Sequence, residues 1–518
     1  MADFVQPMST GGHGGQGSQE ERYTRLIKPS AFTALQLPHP EATFGAIVTA
    51  GMDQGPDIPP KDDPDPQENP RVPAGYTYFG QFIDHDLTLD TVSTLDDKAE
   101  EPNNERTPRL DLDCLYGLGI ASAPYMYDGA TGKLLTNPNG YDLPRASNDR
   151  AIIGDPRNDE NSIVCQIQRG FINFHNKVVD AVIARGVKPG AAAFKAARQE
   201  VRWTYQSVIM NDYLARIVAD DVRANYLEST GDQGKFNLYT RDKWDELPLE
   251  FTAAAYRFGH SMVRNAYRLN TEQPAPQLIF DGDDDSATSL VGFGSLDPSH
   301  KVNWRLLLPD PADPSTAPGK DGDNTGPNGD KTRLQFAYKL DTSIVNPLLA
   351  LPSRIAGNPL PANPFRALAA RNLMRAYNFR VPSGQDVAKA LKVRAMTGDD
   401  LAIRSPDGYL TFDKIPGVSA EDAAKLTAHT PLWLYVLMEA QQSIPRDVGF
   451  DDNSLATVPT ALGPVGGRIL LEVFYGVLIA DAESVLADPD SEDWKPLANP
   501  DRRKLTLWDI FRFAGEIP

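Results

Sequence analysis

The sequence predicts a mainly α fold, built as one large domain with long irregular loops. Apolar residues recur at steps of three and four in five stretches, a spacing that places them on one face of a helix. Sustained alternation of apolar and polar residues, which indicates a half-buried strand, is scarce. The 40 glycines and 43 prolines supply the connections between helices. The predicted helices cover residues 162–184, 192–218, 247–267, 364–378 and 469–486.

The remaining segments are assigned in chain order. Residues 1–30 are predicted to form a flexible arm, because the first twenty are rich in Gly, Ser and Gln. The stretch 52–73 is rich in Pro and Asp and is predicted to be loop, since proline interrupts the hydrogen bonding of helices and strands. Acidic loops follow at 281–288 and 309–332. The second contains DGDN, but Thr332 stands where an EF-hand requires glutamate, so a solvated loop is expected.

Charge and cysteine content exclude several classes of protein. The formal net charge is −19 and the pI is near 4.8, so a basic surface for nucleic acid or anionic membrane is not expected. Cys114 and Cys165 are too few for a disulfide scaffold or a four-cysteine metal site, and their pairing is left open. No apolar stretch is long enough to cross a bilayer, and no secretory signal is visible. We therefore expect a soluble enzyme, cytoplasmic or non-classically secreted, with a single domain over 31–518.

A histidine flanked by two aspartates is the first candidate site. In a helix, Gln81, Asp84 and His85 stand at i, i+3 and i+4 and share one face. Asp86 lies one residue further on and points away from that face. One segment can therefore serve two sites, with an acid–base histidine on one side and a cation ligand on the other. Taken alone, such a tripeptide is more often a solvated turn.

Four motifs in a fixed order give this segment a context. They are FGQFIDHDLT at 79–88, GDPRNDE at 154–160, YRFGH at 256–260 and ARNLMR at 370–375. Together they resemble the animal-type haem peroxidases of the peroxidase–cyclooxygenase superfamily, and the absence of a visible signal suits a bacterial member. The resemblance extends over most of the chain. It implies a large helical haem peroxidase domain that uses hydrogen peroxide.

The resemblance implies the distal side of a haem pocket. His85 would be the distal histidine, Arg157 the distal arginine, and Gln81 the glutamine that helps to hold water or halide. When the O–O bond of peroxide breaks, a proton leaves one oxygen and reaches the other, and a neutral imidazole can carry it. A fixed guanidinium can stabilise the charge that develops on the departing oxygen.

The resemblance also implies the proximal side and the cofactor, haem b. His260 would be the ligand of the haem iron, and Asn372 would accept the hydrogen bond of its other ring nitrogen. Arg257 and Arg375 match the arginines that meet the haem propionates, and a bidentate guanidinium suits a carboxylate. Because an amide accepts less strongly than a carboxylate, His260 is expected to carry limited imidazolate character.

A calcium site is implied by the segment RTPRLDLDCLYG, which resembles the calcium loop of the family. Every second residue of an extended loop points the same way, and all the donors are oxygens, as calcium requires. Asp113 stands where the family often has serine, so tight binding is expected. The implied ligands are Asp86, Thr107, the carbonyl of Arg109, Asp111 and Asp113.

Two carboxylates match positions that form ester bonds to haem methyl groups in the mammalian members. They are Asp84, on the face of His85, and Glu160, three residues after Arg157. Members with a third, sulfonium link have methionine after that glutamate, whereas this chain has Asn161. The haem is therefore expected to be less electron-poor, and chloride is expected to be a poor substrate.

The implied function is oxidation by hydrogen peroxide of small phenols and aromatic amines, and of iodide, thiocyanate or bromide. A part in the response to oxidative stress would follow. The alternative enzyme is a fatty-acid dioxygenase of the same superfamily, which needs a tyrosine where this chain has Arg257. Tyr256, one residue earlier, is expected not to face the same channel. The further alternative is a haem-binding adhesion or matrix protein without catalysis, which loss of His85 or Arg157 would mark; both are present.

Overall fold

The computed structural model of the chain describes nine stretches of residues. Outside them lie the part of the predicted arm before residue 23, the acidic loop 281–288 and most of the loop 309–332. The domain organisation predicted from the sequence therefore stays a prediction at the N-terminus. The described residues are 23–53, 65–89, 104–228, 236–272, 276–280, 289–312, 333–352, 366–450 and 452–517.

Helices dominate the described part of the chain, which confirms the mainly α class. None of the described helices is long and apolar enough to cross a bilayer. The described α-helices of eight or more residues are α1 Pro40–Ile47, α2 Gly75–Leu87, α3 Ser162–Ala184, α4 Ala191–Val208, α5 Asp220–Glu228, α6 Leu368–Asn378, α7 Gly384–Leu391, α8 Ala420–Ala428, α9 Leu432–Ala440, α10 Pro464–Ala480 and α11 Leu507–Ala514.

The described strands are short and form four separate antiparallel pairs. β1 pairs with β6, and the other pairs join neighbours in the chain. The strands are β1 Glu68–Pro73, β2 Tyr127–Asp128, β3 Lys133–Leu134, β4 Ala266–Tyr267, β5 Gln277–Leu278, β6 Phe336–Tyr338, β7 Ala402–Ser405 and β8 Gly408–Thr411.

The expectation that 52–73 is all loop is wrong at its end, because β1 occupies Glu68–Pro73. Its register is Glu68 opposite Tyr338 and Pro73 opposite Phe336, with an irregularity between them. A strand in a two-stranded sheet is an edge strand, and an edge strand tolerates prolines whose missing N–H would face away from the partner.

The helix predicted over 247–267 is also wrong as a continuous α-helix. The segment forms one helical turn at Leu249–Thr252, a 3₁₀-helix at Ala255–Met262 and then β4. Ala254 separates the two helical pieces, with φ −137° and ψ −77°. The apolar period does not distinguish these short pieces from one long helix.

Hydrogen bonds from other elements explain the break. The carbonyl of Arg257 accepts a hydrogen bond from Nε1 of Trp433 at 3.0 Å. The hydroxyl of Tyr256 donates to the carbonyl of Gly80 in α2, 3.2 Å away. The hydroxyl of Ser261 lies 2.7 Å from the carbonyl of Lys339. These contacts attach the segment to three neighbours in place of a regular helical ladder.

The other predicted helices are confirmed with changed ends. α3 has the predicted bounds, and α6, Leu368–Asn378, lies within the predicted range 364–378 and ends where predicted. The helix predicted over 192–218 is α4 continued by a π-helical turn at Ile209–Tyr213 and a last turn at Leu214–Ile217. α10 begins earlier and ends at Ala480 rather than at residue 486.

Helix α2 is central to the core, and its two faces differ sharply. Phe79 and Phe82 are fully buried, and both rings stack on Phe171 of α3, with centroids 6.2 and 4.8 Å apart. Tyr205 of α4 meets the same rings edge to face. Because these aromatic rings are buried against α3 and α4, the rotation of α2 about its own axis is fixed. Gln81, Asp84 and His85 therefore lie on a different face of α2.

Candidate active site

A cavity beside α2 brings together residues of three separate sequence motifs. Its empty volume is about 1160 Å³, part of which is open to solvent. The polar residues predicted for the site that line it are Gln81, Asp84 and His85 of α2, Glu160, and Arg257 and His260 of the 3₁₀-helix. Much of the remaining wall is apolar or aromatic, including Met262, Val263, Ile279, Phe280, Leu348, Leu351 and Leu368.

His85 is buried and held by a chain of two amides. Its Nδ1 lies 2.7 Å from Oδ1 of Asn158, and Nδ2 of Asn158 donates to Oε1 of Gln168 at 2.8 Å. With the oxygen of Asn158 facing it, Nδ1 carries the hydrogen and Nε2 is left as the acceptor. Burial and the charge of Arg157 lower the pKa of His85 to about 4. The imidazole is therefore neutral near pH 7 and can accept a proton.

Asn158 and Gln168 were missed by the reasoning from sequence. Asn158 lies in the polar run RNDEN, which gives no sign of burial, yet its side chain is fully buried. Gln168 is equally buried, on α3. Contacts between an isolated turn and a helix cannot be read from either segment alone.

Arg157 lies beside His85 but is not a lining residue of the cavity. One guanidinium nitrogen bonds the carboxylate of Asp155 at 2.7 Å and the carbonyls of His85 and Thr88 at 3.1 and 2.5 Å. Burial opposes ionisation of Asp155, but its ion pairs with Arg157 and Arg106 prevail and lower its pKa below the usual range. The structure thus places a fixed positive charge at the end of α2.

Glu160 and Gln81 meet at the cavity wall. Nε2 of Gln81 donates to Oε1 of Glu160 at 2.5 Å, and Nδ2 of Asn161 donates to Oε1 of Gln81 at 3.2 Å. Burial raises the pKa of Glu160 to about 7. Asp84 lines the same cavity one helical turn from Gln81. Both candidate carboxylates for an ester bond therefore face the cavity.

His260 faces the cavity from the 3₁₀-helix, and Asn372 of α6 contacts its far side. Burial and the charge of Arg257 lower the pKa of His260 to about 3, so it is neutral. Nδ2 of Asn372 lies 2.7 Å from Nδ1 of His260. The expected orientation has the amide oxygen of Asn372 next to Nδ1, because a metal bound at Nε2 leaves the hydrogen on Nδ1, which then donates. Rotating the Asn372 amide by a half-turn exchanges its nitrogen and oxygen and gives that orientation.

Two arginines near His260 repel one another. Burial and the neighbouring charge of Arg375 lower the pKa of Arg257 to about 10. Nε of Arg257 donates to the carbonyl of Thr252 at 2.9 Å, which fixes its guanidinium at the cavity wall. Paired guanidiniums of this kind favour anionic groups such as carboxylates. The two predicted propionate-binding residues are therefore near one another, and Arg257 lines the cavity.

Tyr256 corrects one expectation from the sequence. It lines the cavity together with Arg257. Its ring stacks on Phe251 with centroids 4.8 Å apart, and its hydroxyl is bonded to the carbonyl of Gly80. The side chain is thus packed and hydrogen-bonded on the wall of the cavity it was expected to avoid.

The predicted calcium ligands gather around one loop next to α2. The hydroxyl of Thr107 lies 3.3 Å from a carboxylate oxygen of Asp111 and 3.2 Å from one of Asp113. Burial and the neighbouring carboxylates Asp111 and Asp113 raise the pKa of Asp86 well above its usual value. One oxygen of Asp86 and one of Asp111 are buried without a hydrogen-bond partner in the described structure.

The geometry of this group is incomplete as a metal site. Among the described residues, no three histidine, cysteine or carboxylate side chains are arranged as a ready metal site. The other two predicted metal ligands are the hydroxyl oxygen of Thr107 and the carbonyl oxygen of Arg109, which are not carboxylates. A hard cation fits the donor chemistry and the two unpartnered buried oxygens.

Comparison with protein families and curated proteins agrees with this geometry. The model of the animal haem peroxidase family matches residues 90–285, a range that includes Glu160 and His260. Heme peroxidase 2 of Caenorhabditis elegans is 26% identical over 185 residues, and chorion peroxidase of Aedes aegypti is 26% identical over 189. Each match covers 33% of this chain and only 26% and 23% of the respective relative. The chain thus spans about a quarter of the length of these relatives.

Solved structures with the same fold cover nearly the whole chain. Peroxidase A from Dictyostelium discoideum has a TM-score of 0.58 at 14% identity, over 95% of both chains. A fatty acid alpha-dioxygenase from Oryza sativa has a TM-score of 0.51 at 14% identity, over 93% of this chain and 79% of that one. At such identity the likeness is one of fold. Together with the family match over residues 90–285 and the curated relatives, the shared fold supports the peroxidase–cyclooxygenase superfamily for this chain.

Proposed function

We propose that this chain is a haem peroxidase, which uses hydrogen peroxide to oxidise small phenols, aromatic amines and the halide-type donors iodide, thiocyanate and bromide. The observation that carries the proposal is that His85 and His260, both neutral, line one cavity. One can accept a proton and the other can bind a metal. A cavity that is mostly apolar with a few polar groups is typical of cofactor sites.

The residues of the cavity fit a haem. His260 would bind the iron, Arg257 and Arg375 would meet the propionates, and the apolar wall would contact the ring. When bound, haem supplies the electrons that reduce peroxide and later recovers them from the donor. Nε2 of His85 takes the proton from one peroxide oxygen and returns it to the other, as the hydrogen bond from Nδ1 to Asn158 holds the ring in place.

The positive charge of Arg157 assists from behind His85. Its guanidinium is fixed by Asp155 and by two carbonyls at the end of α2, so it acts here through the electrostatic field at the imidazole. It opposes accumulation of a second positive charge on His85 and so favours return of the proton to the departing oxygen.

Two features of the cavity support the proposed choice of electron donors. The apolar wall suits aromatic rings. Asn161 stands in place of a methionine that could form a sulfonium link, and this disfavours chloride.

A fatty-acid dioxygenase is the second candidate, because Tyr256 lines the cavity. Against it, the side chain three residues before His260 is Arg257 rather than tyrosine. The two functions are separated by oxygen uptake with linoleate in the absence of peroxide, set beside phenol oxidation with peroxide. A peroxidase oxidises the phenol and consumes little oxygen with linoleate. Oxygen uptake that is abolished by Tyr256→Phe would establish the dioxygenase instead.

Covalent attachment of the haem is expected to depend on peroxide. Asp84 and Glu160 face the cavity, and proximity can make ester formation with an oxidised haem methyl group efficient. Acidified organic solvent should extract free haem from fresh protein and less after cycling with peroxide. Asp84→Asn and Glu160→Gln should each restore part of the extraction, and the double variant all of it. Complete extraction of unmodified haem from the cycled wild type would contradict both anchors.

Calcium is proposed to stabilise the loop beside α2 and, through it, His85. Asp86 is the next residue to His85, and its buried carboxylate also accepts a hydrogen bond from the backbone N–H of Leu112 at 3.2 Å. A cation would neutralise Asp86 together with the nearby carboxylates Asp111 and Asp113.

Removal of calcium is therefore expected to lower both the melting temperature and the rate of the peroxide reaction. The measurement is thermal unfolding and stopped-flow spectroscopy before and after exhaustive chelation, with metal content checked by mass spectrometry. Asp113→Ser, which restores the residue common in the family, should bind calcium more weakly and serves as a matched variant. Loss of bound calcium with both quantities unchanged would refute the coupling.

A further inference from the structure

The side chain of Asn161 is fixed by the start of helix α3. Its Oδ1 accepts hydrogen bonds from the backbone N–H groups of Ile163 at 3.2 Å and Val164 at 2.9 Å. This is an N-cap, which satisfies two helix N–H groups that lack partners within the helix. The residue is 2% exposed. Because Oδ1 faces the helix, the NH₂ group of Asn161 has to face the other way.

That NH₂ group determines the orientation of Gln81. Nδ2 of Asn161 donates to Oε1 of Gln81 at 3.2 Å. Because an NH₂ group can only donate, the Gln81 amide must turn its oxygen, and not its nitrogen, toward Asn161. Nε2 of Gln81 then faces Glu160, to which it donates at 2.5 Å. An amide nitrogen carries two hydrogens, and the second remains for the cavity that Gln81 lines.

We propose that Asn161 is a positioning residue that holds Gln81 with one N–H toward Glu160 and the other toward the cavity, and that this orientation favours binding of anionic ligands there. The inference rests on the proposed peroxidase function and specifies how its halide-type donors are selected. The reversed amide would present a carbonyl oxygen to the cavity, which repels thiocyanate or a halide. A hydrogen bond to a charged ligand is stronger than one between neutral groups.

The test compares thiocyanate affinity in four haem-loaded proteins, namely wild type, Asn161→Ser, Gln81→Leu and the double variant. Affinity is measured by titrating the haem absorption spectrum with thiocyanate, without peroxide. Serine is also a good N-cap but does not reach as far as asparagine, so α3 is kept while Gln81 is released. Asn161→Ser should weaken thiocyanate binding about three- to tenfold, as expected for loss of one oriented hydrogen bond. In the Gln81→Leu background the same change should have no effect.

Two controls separate a positioning role from a structural one. The urea midpoint of Asn161→Ser should stay close to that of wild type, because the cap is retained. Asn161→Asp also caps α3 but can only accept, which should turn the Gln81 amide around and, with its added charge, weaken thiocyanate binding further.

The outcomes distinguish this inference from the proposed function. Wild-type protein that takes up no haem, or whose haem does not react with peroxide, overturns the proposed function and the inference with it. If the wild type does both, but Asn161→Ser binds thiocyanate as tightly as the wild type, the inference alone is overturned. The same holds for an equal loss of affinity from Asn161→Ser with and without Gln81.

Discussion

Replacing His85 by alanine is expected to slow the reaction of the haem-loaded protein with hydrogen peroxide by two or more orders of magnitude. The expected size is that of losing a positioned general acid–base group. The side chain is neutral, with a pKa lowered to about 4, and its ring is oriented by Asn158. Without it, the proton released by one peroxide oxygen has no carrier to the other. Stopped-flow spectroscopy at several peroxide concentrations gives the bimolecular rate constant.

The matched control is His39→Ala, which removes an exposed histidine that does not line the cavity. Its rate constant should equal that of the wild type. Asn158→Ala should fall between the two, because it keeps the imidazole but removes the partner of Nδ1. A His85→Ala variant that binds haem normally and reacts at the wild-type rate would exclude His85 as the proton carrier.

Replacing Glu68 by glutamine is expected to destabilise the folded protein by about 3–5 kcal/mol, as is usual when one partner of a buried ion pair is removed. Glu68 is 1% exposed and accepts from Arg264 at 2.6 Å and from Arg333 at 2.6 and 3.0 Å. Glutamine would remove the carboxylate that both buried guanidiniums contact. Since whole domains are stable by only about 5–15 kcal/mol, much of the protein's stability is at stake.

Urea unfolding of Glu68→Gln and Glu421→Gln provides the comparison. Glu421 pairs with Lys425 at 2.7 Å, but its side chain is 72% exposed. Exposed pairs of this kind contribute about 0–1 kcal/mol, so its loss should hardly move the midpoint. Equal midpoints for the two variants would show that the buried pairs are not a major source of stability.

The ion pairs of Glu68 with Arg264 and Arg333 also affect the active site, because Arg264 lies in the segment that follows His260. Arg264 belongs to that segment, and the Ser261 hydroxyl lies 2.7 Å from the carbonyl of Lys339, next to β6. Glu68 begins β1, which pairs with β6. The ionic contacts therefore fix the segment carrying His260 to the sheet, and a partly folded Glu68→Gln variant should also retain haem less well.

The parts of the site that could be predicted from the sequence are those encoded locally. The motif around His85 carries its own helical period, and α3 has both a clear period and Asn161 as its N-cap. The family resemblance then placed Glu160, Arg257 and His260 at one site, and all three line the cavity with His85. Local patterns and motif order were sufficient for these residues.

The rest depends on contacts between distant segments. The 3₁₀-helix around His260 is held by bonds from Trp433 and to Gly80, which no local period reveals. The burial of Asn158 depends on Gln168 of α3. The pairing of Glu68 with Arg333 joins residues 265 positions apart. These contacts join segments that are far apart in the chain, so local patterns in a single sequence do not reveal them.

The most direct test of the central claim is an optical titration of the purified protein with haem, carried out on wild type and His260→Ala and followed by addition of hydrogen peroxide. The wild type is expected to bind one haem per chain with the spectrum of a histidine-ligated ferric haem, and to change that spectrum on adding peroxide. His260→Ala should lose that ligation signature and most of its haem affinity. A wild type that binds no haem, or a His260→Ala variant with an unchanged spectrum, would contradict the assignment of the cavity as a haem peroxidase site.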